Sequence, residues 1–514
     1  MSPVNKHLNW VELTDFSKGL YDEQASTKQL LGPSGALVKC SDYEPRTQGG
    51  LRAFFQGAAL TTSGLTAPTT ARCAGIWAAS GLADRPGKTL NLGYDRFLSY
   101  IGTDDKARLA RMDGTNEETT WKSAYADAAG AATQAAEHTD FEQFQTTAGV
   151  IYLCWVQRCG SDKGLYSIRL DYSGAAGTNN DGSTAKRQAF QGPIEVNQAR
   201  LIQCDGRIAY YSDTGTITIT STGNQQTEID PNDPNGTIAI LTAIAPSDLL
   251  FGLTGAPWFA VQGDISLITT PIREMSNDHH QRTHYQKPTK VNGGSIAFIE
   301  PGGRIFITDG RTFRSISDQI QKFDLDVGNC FGPGQLAFCD HYLFAPGGHV
   351  HDLDTGAWFK SSLMADSAYH FFDGAGRIYV ANAADGISLA IHRIFEGGDA
   401  TVVRCPSGFI QTIPFRDQAG RDIRIQEVQL NMHCYGTSDV TVTILDSDGS
   451  TLDTQTITGI PTGTSMTSFL FQGLPARYCS VYISLATEDG VTEAPTIEDA
   501  RIGFSPNNNI VGTP

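Results

Sequence analysis

Three histidines, His279, His280 and His284, crowd one polar stretch, and His280 and His284 stand at the i, i+4 spacing that lets two imidazoles on one helix face hold a metal ion. The intervening Gln281-Arg282-Thr283 places a cation between them, and no glutamate follows in the metalloprotease pattern, so no metal is expected there. His349 and His351 flank Val350 in a run that reads as a strand, which puts both on one face. No third ligand accompanies them, and they read as a polar strand face. Asp446 and Asp448 could open a calcium loop with Ser450 as the next oxygen, but the required glycine falls at Thr451 and the closing glutamate at Ile457. Asp230, Asn232 and Asp233 are interrupted by two prolines.

Hydrolytic chemistry would leave other signatures. A sialidase-like propeller would repeat the Ser-x-Asp-x-Gly-x-Thr-Trp box; Asp354-Thr355-Gly356-Ala357-Trp358 is one residue short of it and occurs once. Glycoside hydrolysis needs two carboxylates a few ångströms apart, and no pair stands out. A Gly-x-Ser-x-Gly elbow, a phosphate-binding loop with lysine and a Cys-His protease signature are absent from the sequence. The sequence therefore assigns no catalytic, cofactor-binding or metal-binding residue, and a non-enzymatic role is expected.

The elements that would position any site are strands. One module recurs from about residue 90 to 395: an apolar run of β-formers, a tight turn, a second run, another turn and a third. In one copy Ile296 to Ile299 leads into Glu300-Pro301-Gly302-Gly303, then Ile305, Phe306 and Ile307, then Asp309-Gly310-Arg311 and Phe313. In another, Ile202 and Cys204 precede Asp205-Gly206, followed by Ile208, Ala209 and Tyr210. Such runs separated by Gly, Asp and Pro read as antiparallel hairpins, because those residues supply the φ values that tight turns need. Aligning the first turn of each copy gives Asp95, Gly149, Gly206, Gly255, Gly302, Asp340 and Gly374, hence about seven units. A single unit cannot bury both faces, but several arranged radially can, which predicts an all-β, degenerate β-propeller. The other arrangement of the same hairpins is two stacked sandwiches.

Four segments depart from the module. Residues 1–50 carry spaced apolar anchors, Trp10, Leu13, Phe16, Leu20 and Tyr21, and read as an arm that lies along something else or as a strand that closes the ring. Residues 115–138 are alanine-rich, with Trp121, Ala124, Tyr125, Ala128 and Ala132 near helical spacing, which allows a short helix that Gly130 and the threonines weaken. Residues 173–187 read as an exposed tip. Residues 409–505 change to longer, strictly alternating strands such as Val440, Val442 and Ile444, about six in all, and predict a small β-sandwich. The domain reading is thus an arm at 1–50, a propeller at 51–408, a sandwich at 409–505 and a flexible tail at 506–514.

Composition excludes some classes. The net charge of −17 is spread along the chain, and its basic stretches are short, which disfavours nucleic acid as a partner. The ten cysteines sit at unrelated spacings in apolar runs and read as buried free thiols from a reducing compartment, with Cys154 and Cys159 the one pair that could face each other. No run approaches a membrane-spanning length, and residues 1–20 show no apolar stretch after a basic start, so neither a membrane span nor secretion by a signal peptide is expected.

The opening Trp10-Val11-Glu12-Leu13-Thr14-Asp15-Phe16-Ser17-Lys18-Gly19-Leu20-Tyr21, with Pro33-Ser34-Gly35-Ala36-Leu37 and Gly49-Gly50-Leu51, resembles the start of certain tailed-bacteriophage virion proteins, though Lys18 stands where glycine is common. The order of arm, propeller and C-terminal sandwich extends the resemblance over the chain. It implies a structural component of a tail tip, nozzle or related tail assembly, in a homo-oligomeric ring with other tail proteins, with assembly in the host bacterial cytoplasm. Alternatives are a receptor- or glycan-binding adhesin of the virion and a glycan hydrolase on a propeller scaffold.

Overall fold

The computed structural model describes residues 8–17, 19–20, 36–47, 49–56, 58–60, 63–66, 72–78, 96–104, 106–113, 120–126, 140–158, 162–169, 185–220, 225–229, 236–245, 248–254, 258–267, 272–276, 288–291, 294–299, 304–320, 336–362, 369–374, 377–382, 391–394, 404–417, 421–490 and 492–506. They form seven antiparallel four-stranded units, and no α-helix occurs among them. The first strands of the units are Arg72–Ala78, Asp140–Gln145, Ile194–Asn197, Ile238–Ala245, Thr289–Lys290, Ala337–Cys339 and Tyr369–Gly374. First strands adjoin between units two and three, three and four, five and six, six and seven, and seven and one, while apolar side chains pack unit one on two and unit four on five, so the units close a ring. The fold is a seven-bladed β-propeller.

The seventh blade is completed out of order. Tyr369–Gly374, Arg377–Asn382 and Ile391–Ile394 take Ala58–Leu60 as their outer strand, in the antiparallel register His392↔Ala59. The ring is therefore held shut by backbone hydrogen bonds between segments more than three hundred residues apart in sequence. Between blades, the apolar faces interlock: Ile202, Cys204 and Tyr211 of blade three pack with Leu241, Leu249 and Phe251 of blade four, while Trp258 of blade four packs with Phe298 of blade five.

Seven units agree with the repeat, but the turns aligned in sequence are not equivalent. Gly149 and Asp340 follow the first strand of their blades, whereas Gly206 follows the second. In blade three the first turn is Gln198-Ala199, with φ of 48° and 57°, a left-handed pair built without glycine, asparagine or aspartate. Tertiary packing imposes that conformation, so the usual sequence signal is missing. Where the helix expected in residues 115–138 falls on described residues it is corrected: Thr120–Ala126 is the outer strand of blade one, from Asp113↔Thr120 to Arg108↔Ala126, and the rest of that stretch lies outside the described residues. An available strand edge outweighs the weak helical tendency of a threonine-containing alanine stretch.

The C-terminal part forms two sheets over one core. Ser438–Leu445 alternates buried and half-buried residues without a break, and Val440, Val442 and Ile444 face Val428, Leu430 and Met432 of Ile423–Cys434 across the interior. Each such side chain contributes up to about 1.5–3 kcal/mol by burial. The N-terminal segment is built into this module: Asn9–Leu13 pairs along Thr496–Pro506, and Tyr43–Pro45 and Leu51–Ala53 extend the same six-stranded sheet. What that segment lies along is the chain's own sandwich, and the ring is closed by the strand that follows it. The second sheet, Leu37–Ser41, Ser407–Thr412, Ser480–Thr487, Ser438–Leu445 and Thr451–Ile460, is continuous with blade six, because Ser41 pairs in parallel with Lys360 of Trp358–Lys360.

Candidate functional site

Blade six is where disc and sandwich become one sheet, and a charged network lies across that seam. Arg404, just before Ser407–Thr412, donates through Nη1 to Glu44 Oε1 and to the Ala53 carbonyl, both at 2.6 Å, and its Nε lies 3.7 Å from Glu493. Glu493 in turn takes a 2.8 Å bond from Arg52 Nε. The other oxygen of Glu44 accepts the Tyr342 hydroxyl at 2.5 Å, so a blade-six side chain reaches into the sandwich. Burial and the Glu44 carboxylate push the Tyr342 phenol well above its usual range, and it stays a donor. The Arg404 guanidinium also lies 4.3 Å from the Phe55 ring centre. Next to this, Asp42, held in a left-handed turn with φ of 61°, accepts the Ser362 amide at 2.7 Å. The arrangement has the chemistry of a rigid joint: every named charge is met by an opposite charge or a donor.

The histidines and carboxylates considered in the sequence fall elsewhere. His279, His280, His284, Asp230, Asn232 and Asp233 lie outside the described residues, as do Cys159 and most of residues 173–187. His349 and His351 are buried and share a strand face against Trp358; the His351 ring stacks on the indole at 4.5 Å. Asp446 and Asp448 both accept the Ser450 amide, at 3.0 and 2.9 Å, and so shape the turn before Thr451–Ile460. Asp354-Thr355-Gly356-Ala357-Trp358 forms the last turn of blade six. Cys40, Cys154, Cys204, Cys339, Cys405, Cys434 and Cys479 are free and buried, and burial raises the Cys479 thiol to about 12, which suppresses thiolate chemistry.

The joint was not visible in the sequence. Arg404 stands as a lone charge between Val403 and Cys405, whereas Glu44 lies between Asp42 and Arg46 in a polar stretch. The isolation of Arg404 is a signal of a buried partner, but it does not say which one, and nothing local singles out Glu44.

Burial holds His351 down at about 4; the Ala357 carbonyl and Asp352 oppose this, and Arg314 adds to it. With an unfolded value near 6.5, the unfolded chain takes up the proton first as pH falls. The stability tied to this neutral imidazole is thus complete above pH 6.5 and declines between 6.5 and 4, by roughly 3 kcal/mol. Denaturant titrations at pH 7 and pH 4 should show the wild type losing that much more than His351→Asn. Equal losses in the two proteins would assign the acid sensitivity to other groups.

One edge of the sandwich is open. Gly463–Leu470 ends its sheet, pairing only with Ile423–Cys434 among the described residues. Met466 and Leu470 on it, and Leu474 just beyond, are 64%, 65% and 70% exposed. No helix among the described residues is long and apolar enough to cross a membrane.

No protein-family model matches the chain. No curated protein matches it either. Among solved structures, it is similar to the Myceliophteria thermophila Cps50 (Swd1) β-propeller domain, with a TM-score of 0.37, 10% identity, and coverage of 65% of this chain and 99% of that one. It is similar to YCF48 from Cyanidioschyzon merolae, with a TM-score of 0.38, 11% identity, and coverage of 66% and 98%. A third similar structure is the WD40 β-propeller domain of Doa1, with a TM-score of 0.35, 10% identity, and coverage of 67% and 98%. These likenesses concern the propeller fold.

Proposed function

We propose that the chain is a non-enzymatic structural component of a bacteriophage tail, at the tail tip or nozzle, assembled as a ring of identical copies through the free edge of its sandwich. The observation that carries this reading is the strand Gly463–Leu470. It has no lysine, no proline and no inward charge, the devices by which sheets ordinarily guard an edge, and it exposes Met466 and Leu470 with Leu474 alongside. Such an edge offers unpaired backbone groups and apolar side chains to a strand of another copy. The resemblance of the opening segment to tail proteins supports the same reading, as does a disc held rigidly to the module that makes contact.

Deleting the N-terminal segment would be an unclean test, because Leu13, Phe16, Leu20 and Leu37 belong to the core. The double variant Met466→Lys with Leu470→Lys is better placed. Exposed substitutions of this kind change stability by about 0.5 kcal/mol or less each. The expected result is a folded subunit that no longer enters particles, scored by immunoblot of purified virions. Particles carrying the variant at the normal level would refute the role of this edge, and an image of the native particle lacking this chain in its tail would refute the tail assignment.

A further inference from the structure

We infer that blade six carries a divalent transition-metal site formed by His341 Nε2 and the carboxylates of Asp352 and Asp354. His341 lies in the turn between Ala337–Cys339 and Tyr342–Ala345, and Asp352 and Asp354 open the turn between His349–Asp352 and Trp358–Lys360. The antiparallel pairing Tyr342↔Asp352 sets the two turns side by side, and the Leu353 amide bonds the His341 carbonyl at 2.9 Å. One ligand atom from each of the three side chains lies within 4.8 Å of the other two, with His341 Nε2 and Asp352 Oδ1 4.0 Å apart.

Two details go beyond proximity. Asp340 Oδ2 is 2.9 Å from His341 Nδ1, the carboxylate–imidazole contact that fixes ring orientation at metal centres and leaves the Nε2 lone pair facing the other carboxylates. Asp340 reaches it from a left-handed backbone, with φ of 59°. Asp352 is buried and already held: Oδ1 accepts the Asp354 amide at 2.9 Å and the Thr355 amide at 3.4 Å, and Oδ2 the Thr355 hydroxyl at 2.7 Å. A carboxylate accepts at about four lone-pair positions, so one position on Oδ2 remains for a metal. Asp354 is exposed and can rotate inward to close the set to bond lengths of about 2.0–2.2 Å. One imidazole with two carboxylates and open positions suits Zn²⁺ or Mn²⁺ better than Ca²⁺, which prefers oxygen throughout. The site is adjacent in sequence to Tyr342, so a bound ion would brace the blade that carries the joint.

The test uses the full-length chain stripped with EDTA and dialysed. Calorimetric titration with ZnCl₂ and separately with MnCl₂ should show one equivalent bound by at least one of them, with a rise in melting temperature. D354N and H341Q should each weaken that binding at least tenfold while leaving the metal-free melting temperature within a degree or two of wild type. Absence of stoichiometric binding by both ions, or wild-type affinity in both variants, would overturn the site.

Discussion

Trp358→Ala is expected to destabilise the protein by about 3–5 kcal/mol, the cost of emptying a large, fully buried aromatic site. Trp358 has no exposed surface and touches three parts of the chain at once. Its indole Nε1 donates to the Ile316 carbonyl of blade five at 2.9 Å, its ring stacks on His351, and its backbone carbonyl accepts the Leu20 amide at 2.7 Å. The N-terminal segment comes so close that a Cβ at Gly19, where φ is 58°, would lie 2.3 Å from the Trp358 carbonyl oxygen. Loss of the indole should therefore loosen blade five, blade six and the N-terminal strands together. Urea unfolding followed by far-UV circular dichroism measures the loss, and limited proteolysis should show earlier cleavage near the seam. Trp358→Phe keeps most of the apolar area and should cost less, about 1–3 kcal/mol, largely from the unpaired Ile316 carbonyl. A loss below about 1 kcal/mol in the alanine variant would show that this side chain does not organise the seam.

Arg404→Met is expected to cost a similar amount, about 3–5 kcal/mol, for an electrostatic reason. Methionine keeps the length of the side chain, but Glu44 is then left buried with only the Tyr342 hydroxyl, and the Ala53 carbonyl loses its side-chain donor. Most of the loss comes from the uncompensated buried carboxylate, since the intact pair itself contributes little net stability after desolvation. That origin has a testable consequence. The double variant Glu44→Gln with Arg404→Met should recover part of the loss, with a coupling energy of about 0.5–3 kcal/mol in a double-mutant cycle. Strict additivity of the two single changes would mean that Glu44 and Arg404 are not energetically linked, and the joint would have to be ascribed to apolar packing alone.

The expectations that succeeded rest on local chemistry. Hairpins at Ile296 to Phe313 and at Leu201 to Tyr210 could be read because period-two alternation and glycine- or aspartate-bearing turns are properties of a few adjacent residues. The six long C-terminal strands were legible for the same reason. Where a turn is shaped by its surroundings, as at Gln198-Ala199, local chemistry gave no signal, and the alignment of the repeats lost its phase. The alanine-rich segment around Trp121 failed differently: its intrinsic preference was too weak to resist an available strand partner.

Residue patterning alone thus specifies an all-β chain of about seven repeated hairpin units followed by a separate run of alternating strands. Which strands meet is a property of the assembled fold. Ala58–Leu60 closes blade seven, Asn9–Leu13 joins Thr496–Pro506, Arg404 finds Glu44, and His341 comes beside Asp352 and Asp354. Local patterning tells a residue which face to bury and where to turn, but the cost of closing a loop grows only with the logarithm of its length, so remote partners are nearly as accessible as close ones. Which of them is chosen depends on shape and charge complementarity across the assembled core, and that information is not local.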